Sequence, residues 1–95
     1  MYELFQAKLV DNQTVALEGD YKRFCQQVLG GLKFGCLNMS RMMIDYNTLA
    51  RIPKVLRSYS TINRLKFCGN LISDTGVLKI VQIIESRPMV FELDV

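Results

Sequence analysis

The sequence predicts an α/β fold, specifically a right-handed solenoid with parallel strands on a concave side and helices on a convex side. The chain repeats with a period of 28 residues, and each repeat begins with alternating apolar residues and continues with helical spacing. Strand–helix units of this kind stack so that neighbours bury a continuous core. The connection from one parallel strand to the next is expected to be right-handed.

The composition indicates one small globular domain without a cofactor. The chain has 95 residues, of which 49% are hydrophobic and 22% charged, and its net charge is +3. A core of modest size is expected at this length. The absence of histidine from the sequence removes the commonest general base and metal ligand.

The cysteines indicate a reducing environment. Cys25, Cys36 and Cys68 are odd in number and contain no CxxC pair, which argues against a disulfide framework or a zinc site. The first residues lack the apolar stretch of a secretory signal, and the apolar cluster 80–84 is interrupted and too short to span a bilayer. We therefore expect an intracellular protein, cytoplasmic or nuclear, that does not enter a membrane.

The first third of the chain, residues 1–33, is predicted to be an irregular N-terminal cap that covers one end of the stack. Asp20 is a good helix-capping residue, and the apolar residues after it have helical spacing over 21–29. Gly30 and Gly31 are then expected to end that helix.

Two complete repeats follow, at 34–61 and 62–89, and the first strand of an incomplete third repeat at 90–95. Ten of the 28 aligned pairs are apolar in both blocks, and eleven are polar or otherwise non-apolar in both. The order of the matches continues into the third block. The clearest apolar correspondences are Leu37 with Leu65, Met39 with Phe67, Ile44 with Ile72, Leu49 with Val77 and Ile52 with Ile80.

Each repeat changes its period once. The alternation around Leu65 predicts a short strand, and the apolar spacing between 77 and 84 predicts a helix over about 75–86. In the first repeat Pro53 falls within the corresponding helical segment. Because proline disrupts a helix interior, that helix is expected to begin late, near residues 51–52.

Residues 34–95 resemble the leucine-rich repeat of the ribonuclease-inhibitor type. The second block carries the pattern of that repeat, I62-x-x-L65-x-F67-x-x-N70-x-I72-x-D74-x-G76-V77-x-x-I80-x-x-I83-I84. The first block is looser, since Met42, Tyr46 and Thr48 stand where the second has Asn, Asp and Gly. The resemblance implies a partial horseshoe and a non-catalytic scaffold for protein–protein recognition.

Asn70, Asp74 and Gly76 are assigned structural roles in the turn between strand and helix. Asn70 is expected to hydrogen-bond backbone groups that are left unpaired where the strand bends, and a distorted turn is expected at Met42. Asp74 is expected to cap the following helix. The alternative for Asp74-Thr75-Gly76 is half the active site of a homodimeric aspartic protease, which the helical spacing after it disfavours.

The predicted recognition surface is formed by the strand side chains that point away from the core. Its register places Arg64 beside Glu92 and Lys66 beside Asp94, so that opposite charges partly cancel. These side chains would contact another protein and set the choice of partner through their mixed charge. The candidate contact residues are Asn38, Ser40, Arg64, Lys66, Glu92 and Asp94.

An alternative surface is a basic patch on the helix side. Its functional interpretation is binding to RNA or to an acidic protein, and the competing interpretation is an ordinary solvated face. No aromatic stacking platform accompanies it in the sequence, so nucleic acid is disfavoured as a partner. The patch consists of Arg51, Lys54, Arg57 and Lys79.

The last five residues read as the beginning of a strand with nothing after it. An open sheet edge beside an apolar helix tends to associate. We therefore expect further repeats, a partner or a second copy to cover this end.

Overall fold

The computed structural model describes residues 1–87, 90 and 92–95. Helices and strands alternate along most of the chain. In chain order the elements are α1 (Tyr2–Asn12), α2 (Asp20–Leu32), β1 (Cys36–Asn38), α3 (Tyr46–Leu49), α4 (Ile52–Ser58), β2 (Arg64–Lys66), α5 (Asp74–Ser86) and β3 (Glu92–Asp94). Positions 88 and 89, at the end of the predicted second repeat, and position 91, within the predicted third strand, lie outside the described residues.

The described strands form one parallel sheet in the order β1-β2-β3. Leu37 lies opposite Leu65, and Leu65 lies opposite Leu93. Each step across the sheet therefore advances 28 residues in the sequence, so the predicted strand register is confirmed. Leu37 and Leu65 point into the core and are fully buried.

The predicted solenoid is wrong. The described residues form one compact α/β body around a three-stranded parallel sheet, with principal extents of 37 × 30 × 21 Å. The radius of gyration is 12.4 Å, close to the roughly 13 Å expected of a compact domain of about 100 residues. No stack of repeats, and hence no horseshoe with a concave and a convex side, is present in these residues. The physical reason is that helices from the first third share the core of the strands.

The N-terminal third contributes two helices to that core. Leu4 and Phe5 of α1 and Phe24 and Val28 of α2 are buried with the strand residues in a single cluster. Helix α1 was missed, and α2 is longer than the predicted 21–29. The glycine pair does not end α2, because the helix continues through it to Leu32.

The first repeat differs from the second in its helical part. A one-turn helix, α3, was not predicted, and it precedes α4. Pro53 occupies the first turn of α4, where its missing amide hydrogen is tolerated. The predicted late start of this helix is confirmed. Among the helices that the structure describes, none combines the length and the apolar character needed to cross a bilayer.

Candidate interaction surface

The outward side chains of the strands form two rows across the sheet. Asn38, Lys66 and Asp94 share one row, and Arg64 lies beside Glu92 in the other. Their side chains alternate with the buried leucines, as the pleat of a strand requires. We use the term strand face for the predicted contact residues, which this sheet brings together: Asn38, Ser40, Arg64, Lys66, Glu92 and Asp94.

The opposite charges on the strand face lie side by side without forming ion pairs. In the described part of the chain, the salt bridges are Arg23–Asp20 and Lys54–Glu3, both remote from this face. The guanidinium of Arg64 instead donates to the carbonyl oxygen of Phe34 at 3.0 Å. The predicted placement of Arg64 beside Glu92 and of Lys66 beside Asp94 is confirmed, although within the described ranges no salt bridge joins either pair.

Neutral groups complete the strand face at β1. The Asn38 side-chain oxygen accepts from the backbone amide of Ser40 at 3.1 Å, which fixes the end of β1. The thiol of Cys68 donates to the Ser40 hydroxyl at 3.1 Å. Across the sheet, the face is thus neutral over β1, basic over β2 and acidic over β3.

The four residues of the predicted basic patch lie in different environments. The Lys54 ammonium group donates to the Glu3 carboxylate at 2.9 Å. Arg51 and Lys54 line a cleft of about 330 Å³ together with Tyr2 and Tyr59. Arg57 is exposed on α4 and Lys79 is half-buried on α5.

The Asn70 side chain connects the turns of both strand–helix units. Its oxygen accepts from the amides of Met42 and Ile44 at 3.0 and 3.2 Å. Its nitrogen donates to the carbonyls of Met39 and Phe67 at 3.1 and 2.7 Å. One asparagine therefore satisfies backbone groups in both turns.

The turn that lacks its own asparagine is distorted, as expected from Met42. The flanking residues Arg41 and Met43 have φ angles of 57° and 56°, in the left-handed region that most side chains avoid. The chain therefore bends twice around Met42, and this brings its amide to Asn70.

The cap of α5 is Ser73, so the assignment of that role to Asp74 is wrong. The Ser73 hydroxyl accepts from the amide of Gly76 at 3.2 Å, and Asp74 is the exposed first residue of the helix. A side-chain atom at Gly76 would lie 2.5 Å from Asp45 Oδ1. Gly76 thus permits close packing of α5 on the first unit. Asp20 likewise begins α2 after the N-cap Gly19 rather than capping it.

A second set of polar contacts fixes the starts of the helices. The Asp11 carboxylate of α1 accepts from the amides of Asp45 and Thr48 at 2.9 and 2.8 Å and from the Thr48 hydroxyl at 2.6 Å. Asn47 donates to it through both its backbone and its side chain. Burial alone would raise the pKa of Asp11, but these hydrogen bonds together lower it below its usual value.

Asp45 repeats this arrangement one unit further along. Its carboxylate accepts from the Ser73 amide at 3.0 Å and from the Ser73 hydroxyl at 2.8 Å. The 28-residue alignment pairs Asp45 with Ser73, and both are capping residue types, so this signal was present in the sequence. Asp11 lies outside that alignment and had no comparable signal.

The described residues contain no cluster of cysteine, aspartate and glutamate side chains suited to holding a metal ion. Comparison with known proteins finds no matching family model, no matching curated protein and no matching solved structure. The resemblance of residues 34–95 to a leucine-rich repeat is therefore untested and stays a prediction.

Proposed function

We propose that this chain is a non-catalytic recognition module that binds another protein through its strand face. The observation that supports this most directly is the order of charge across the sheet. Arg64 and Lys66 lie on β2, Glu92 and Asp94 lie on β3, and among the described residues no salt bridge joins the basic side chains of β2 to the acidic side chains of β3. Because no salt bridge holds these side chains to one another, their charged groups can contact a partner.

The spacing of the strands would give this surface its specificity. Neighbouring strands lie about 4.8 Å apart, so a complementary partner presents acidic groups over β2 directly beside basic groups over β3. Complementary charge of this kind favours one orientation of a partner and opposes others. The buried side chains of Leu37 and Leu65 anchor β1 and β2 in the core, which fixes the positions of the outward side chains on these strands.

We place this activity in the cytoplasm or nucleus. Cys25, Cys36 and Cys68 are free thiols, and reducing compartments preserve that state. The half-buried Cys68 also contacts the strand face through Ser40, where oxidation would change the surface.

The proposal is tested by placing a photo-crosslinking amino acid at Asn38 in cells. Gln27, exposed on α2, serves as the matched control position. We expect a protein that is crosslinked from Asn38 and not from Gln27. Its affinity for the purified chain is then measured with the Arg64→Glu/Lys66→Glu variant and with Arg57→Glu, an exposed charge reversal on the helix side.

The strand-face double variant is expected to weaken binding by tenfold or more, since two charge contacts become repulsive. Urea unfolding should show that the variant is folded. Unchanged binding in the double variant together with weaker binding in Arg57→Glu would transfer the interaction to the helix side. Crosslinks that are equal at both positions would contradict a specific strand face.

A further inference from the structure

The outer end of the sheet exposes positions whose counterparts in the preceding unit are buried. Leu49 of α3 is fully buried, whereas its counterpart Val77 of α5 is 49% exposed. Leu65 of β2 is fully buried, whereas Leu93 of β3 is 39% exposed. Equivalent positions in two successive units thus differ in how far they are covered.

The coverage of the inner unit shows what these positions accommodate. Leu49 packs under α5, with its Cδ1 atom 3.3 Å from the place of a side-chain atom at Gly76. Leu65 lies between β1 and β3. Leu65 is therefore covered by the strand that pairs with β2, and Leu49 is covered by the helix that packs on α3.

The other edge of the sheet is already closed. Helix α2 lies so close to β1 that a side-chain atom at Gly31 would be 2.9 Å from the carbonyl oxygen of Cys36. A new strand has no room beside that part of β1. The edge that can accept one is the outer side of β3, where the sheet order ends among the described residues.

We propose that this open edge, formed by Val77, Val81, Leu93 and the outer backbone of β3, binds a β-strand of a partner protein. Backbone hydrogen bonds would extend the sheet, and apolar residues of the partner would cover the three side chains. Glu92 and Asp94 flank Leu93 on the opposite face of the strand. They select a strand with basic residues at two outward positions and an apolar residue between them.

Charge also argues against a second copy as the occupant. Antiparallel pairing of two β3 strands around Leu93 brings Glu92 of one copy opposite Asp94 of the other. Like charges at directly opposed positions destabilise a strand pair. By contrast, the chain already pairs β3 with Arg64-Leu65-Lys66 on its inner side, which is the basic–apolar–basic pattern.

The test uses a synthetic peptide with the sequence of residues 60–68, in which Cys68 is replaced by serine. Its control peptide has glutamate in place of Arg64 and Lys66. Each is titrated into the full chain while amide and methyl NMR signals are recorded. We expect the basic peptide to shift the amides of Glu92–Asp94 and the methyl groups of Val77 and Val81, and to bind at least tenfold tighter than the acidic peptide.

The Glu92→Lys/Asp94→Lys variant should reverse this preference and bind the acidic peptide more tightly. Equal binding of both peptides, shifts confined to Asn38, Ser40, Arg64 and Lys66, or no shifts at millimolar peptide would overturn the proposal. So would a dimer in sedimentation that Val81→Glu disrupts, because a second copy would then occupy the edge. Asn38→Ala, on β1 at the far side of the sheet from this edge, should leave peptide binding at the edge intact, which separates this result from failure of the strand-face proposal.

Discussion

The two edges of the sheet, β1 and β3, are each preceded by a helix of similar length, but one edge is covered and the other is open. Helices α2 and α5 each have 13 residues and precede β1 and β3 respectively along the chain. Phe24 and Val28 of α2 are buried, and α2 closes its edge of the sheet. Val77 and Val81 of α5 remain about half exposed beside an open edge.

Helix α5 is the more apolar of the two, and its exposed apolar side chains include Val77, Leu78 and Val81. Helix α5 reads DTGVLKIVQIIES, whereas α2 reads DYKRFCQQVLGGL. A surface helix usually limits its apolar residues to the stripe that it buries. The additional apolar residues of α5 that remain exposed therefore contribute little to the stability of the isolated chain, and under the proposed edge interaction they would contact the partner strand.

The largest expected difference between the ends is in the stability that their apolar side chains provide. Phe24 is 3% exposed and packs against Phe5 at 5.3 Å between ring centroids, while Val81 is 46% exposed. Phe24→Ala should lower the free energy of unfolding by about 3–5 kcal/mol, and Val81→Ala should change it by about 0.5 kcal/mol or less. Urea unfolding followed by circular dichroism measures both.

Phe24→Leu provides a second variant in case Phe24→Ala does not fold, and it should retain most of the wild-type stability because much of the apolar volume is kept. Equal losses for Phe24→Ala and Val81→Ala would contradict the contrast between a closed end and an open one.

Substitutions at two adjacent glycines, Gly30 and Gly31, test how α2 covers the β1 edge, and their expected effect is smaller. A side-chain atom at Gly31 would lie 2.9 Å from a backbone oxygen, whereas one at Gly30 would meet nothing within 4 Å. Gly31→Ala should therefore destabilise the chain by about 1–3 kcal/mol. Gly30→Ala should be neutral or stabilise it by about 0.5 kcal/mol, because alanine favours the helix. Similar thermal midpoints for the two variants would show that α2 can move away from β1.

Local periodicity was sufficient to predict the elements of the second unit. The alternation around Leu65 corresponds to β2, and the helical spacing from 77 to 84 corresponds to α5. The 28-residue offset also predicted how the strands pair. These features arise from a local pattern that repeats along the chain, so they can be predicted from one sequence alone.

Periodicity could not predict what the N-terminal third does. The buried residues of α1 are Leu4, Phe5 and Ala7, a set too compact to signal a helix by its spacing. Those residues are buried because α1 packs against α3, which is a tertiary effect. Helices α1 and α2 of the N-terminal third share one core with the sheet. The prediction of a solenoid from the repeated pattern was therefore wrong.

The strand face was predicted more completely than the polar contacts that support the fold. Its residues alternate with buried leucines, and the register places them in rows. No salt bridge is found within it among the described residues, and the Arg64 guanidinium donates to the Phe34 carbonyl. Asp11 was not identified, since its partners are 34 to 37 residues away and no local pattern relates them.

The smallest expected effect concerns the carboxylate that fixes the start of α3 at the closed end. The pKa of Asp11 is lowered in the folded chain, since its hydrogen bonds outweigh its burial. Its contribution is therefore fully present above the unfolded-state pKa of about 3.9. It is lost as the pH falls from that value through the lower pKa of the folded state.

Asp11→Asn should accordingly lower the free energy of unfolding by about 1 kcal/mol at pH 7, because the amide accepts fewer hydrogen bonds. The difference from the wild type should shrink as the pH is reduced below about 4. Urea unfolding across this range measures the effect, with Glu18→Gln in the exposed segment before α2 as the control. If the difference were constant with pH, the carboxylate charge of Asp11 would not be what holds the start of α3.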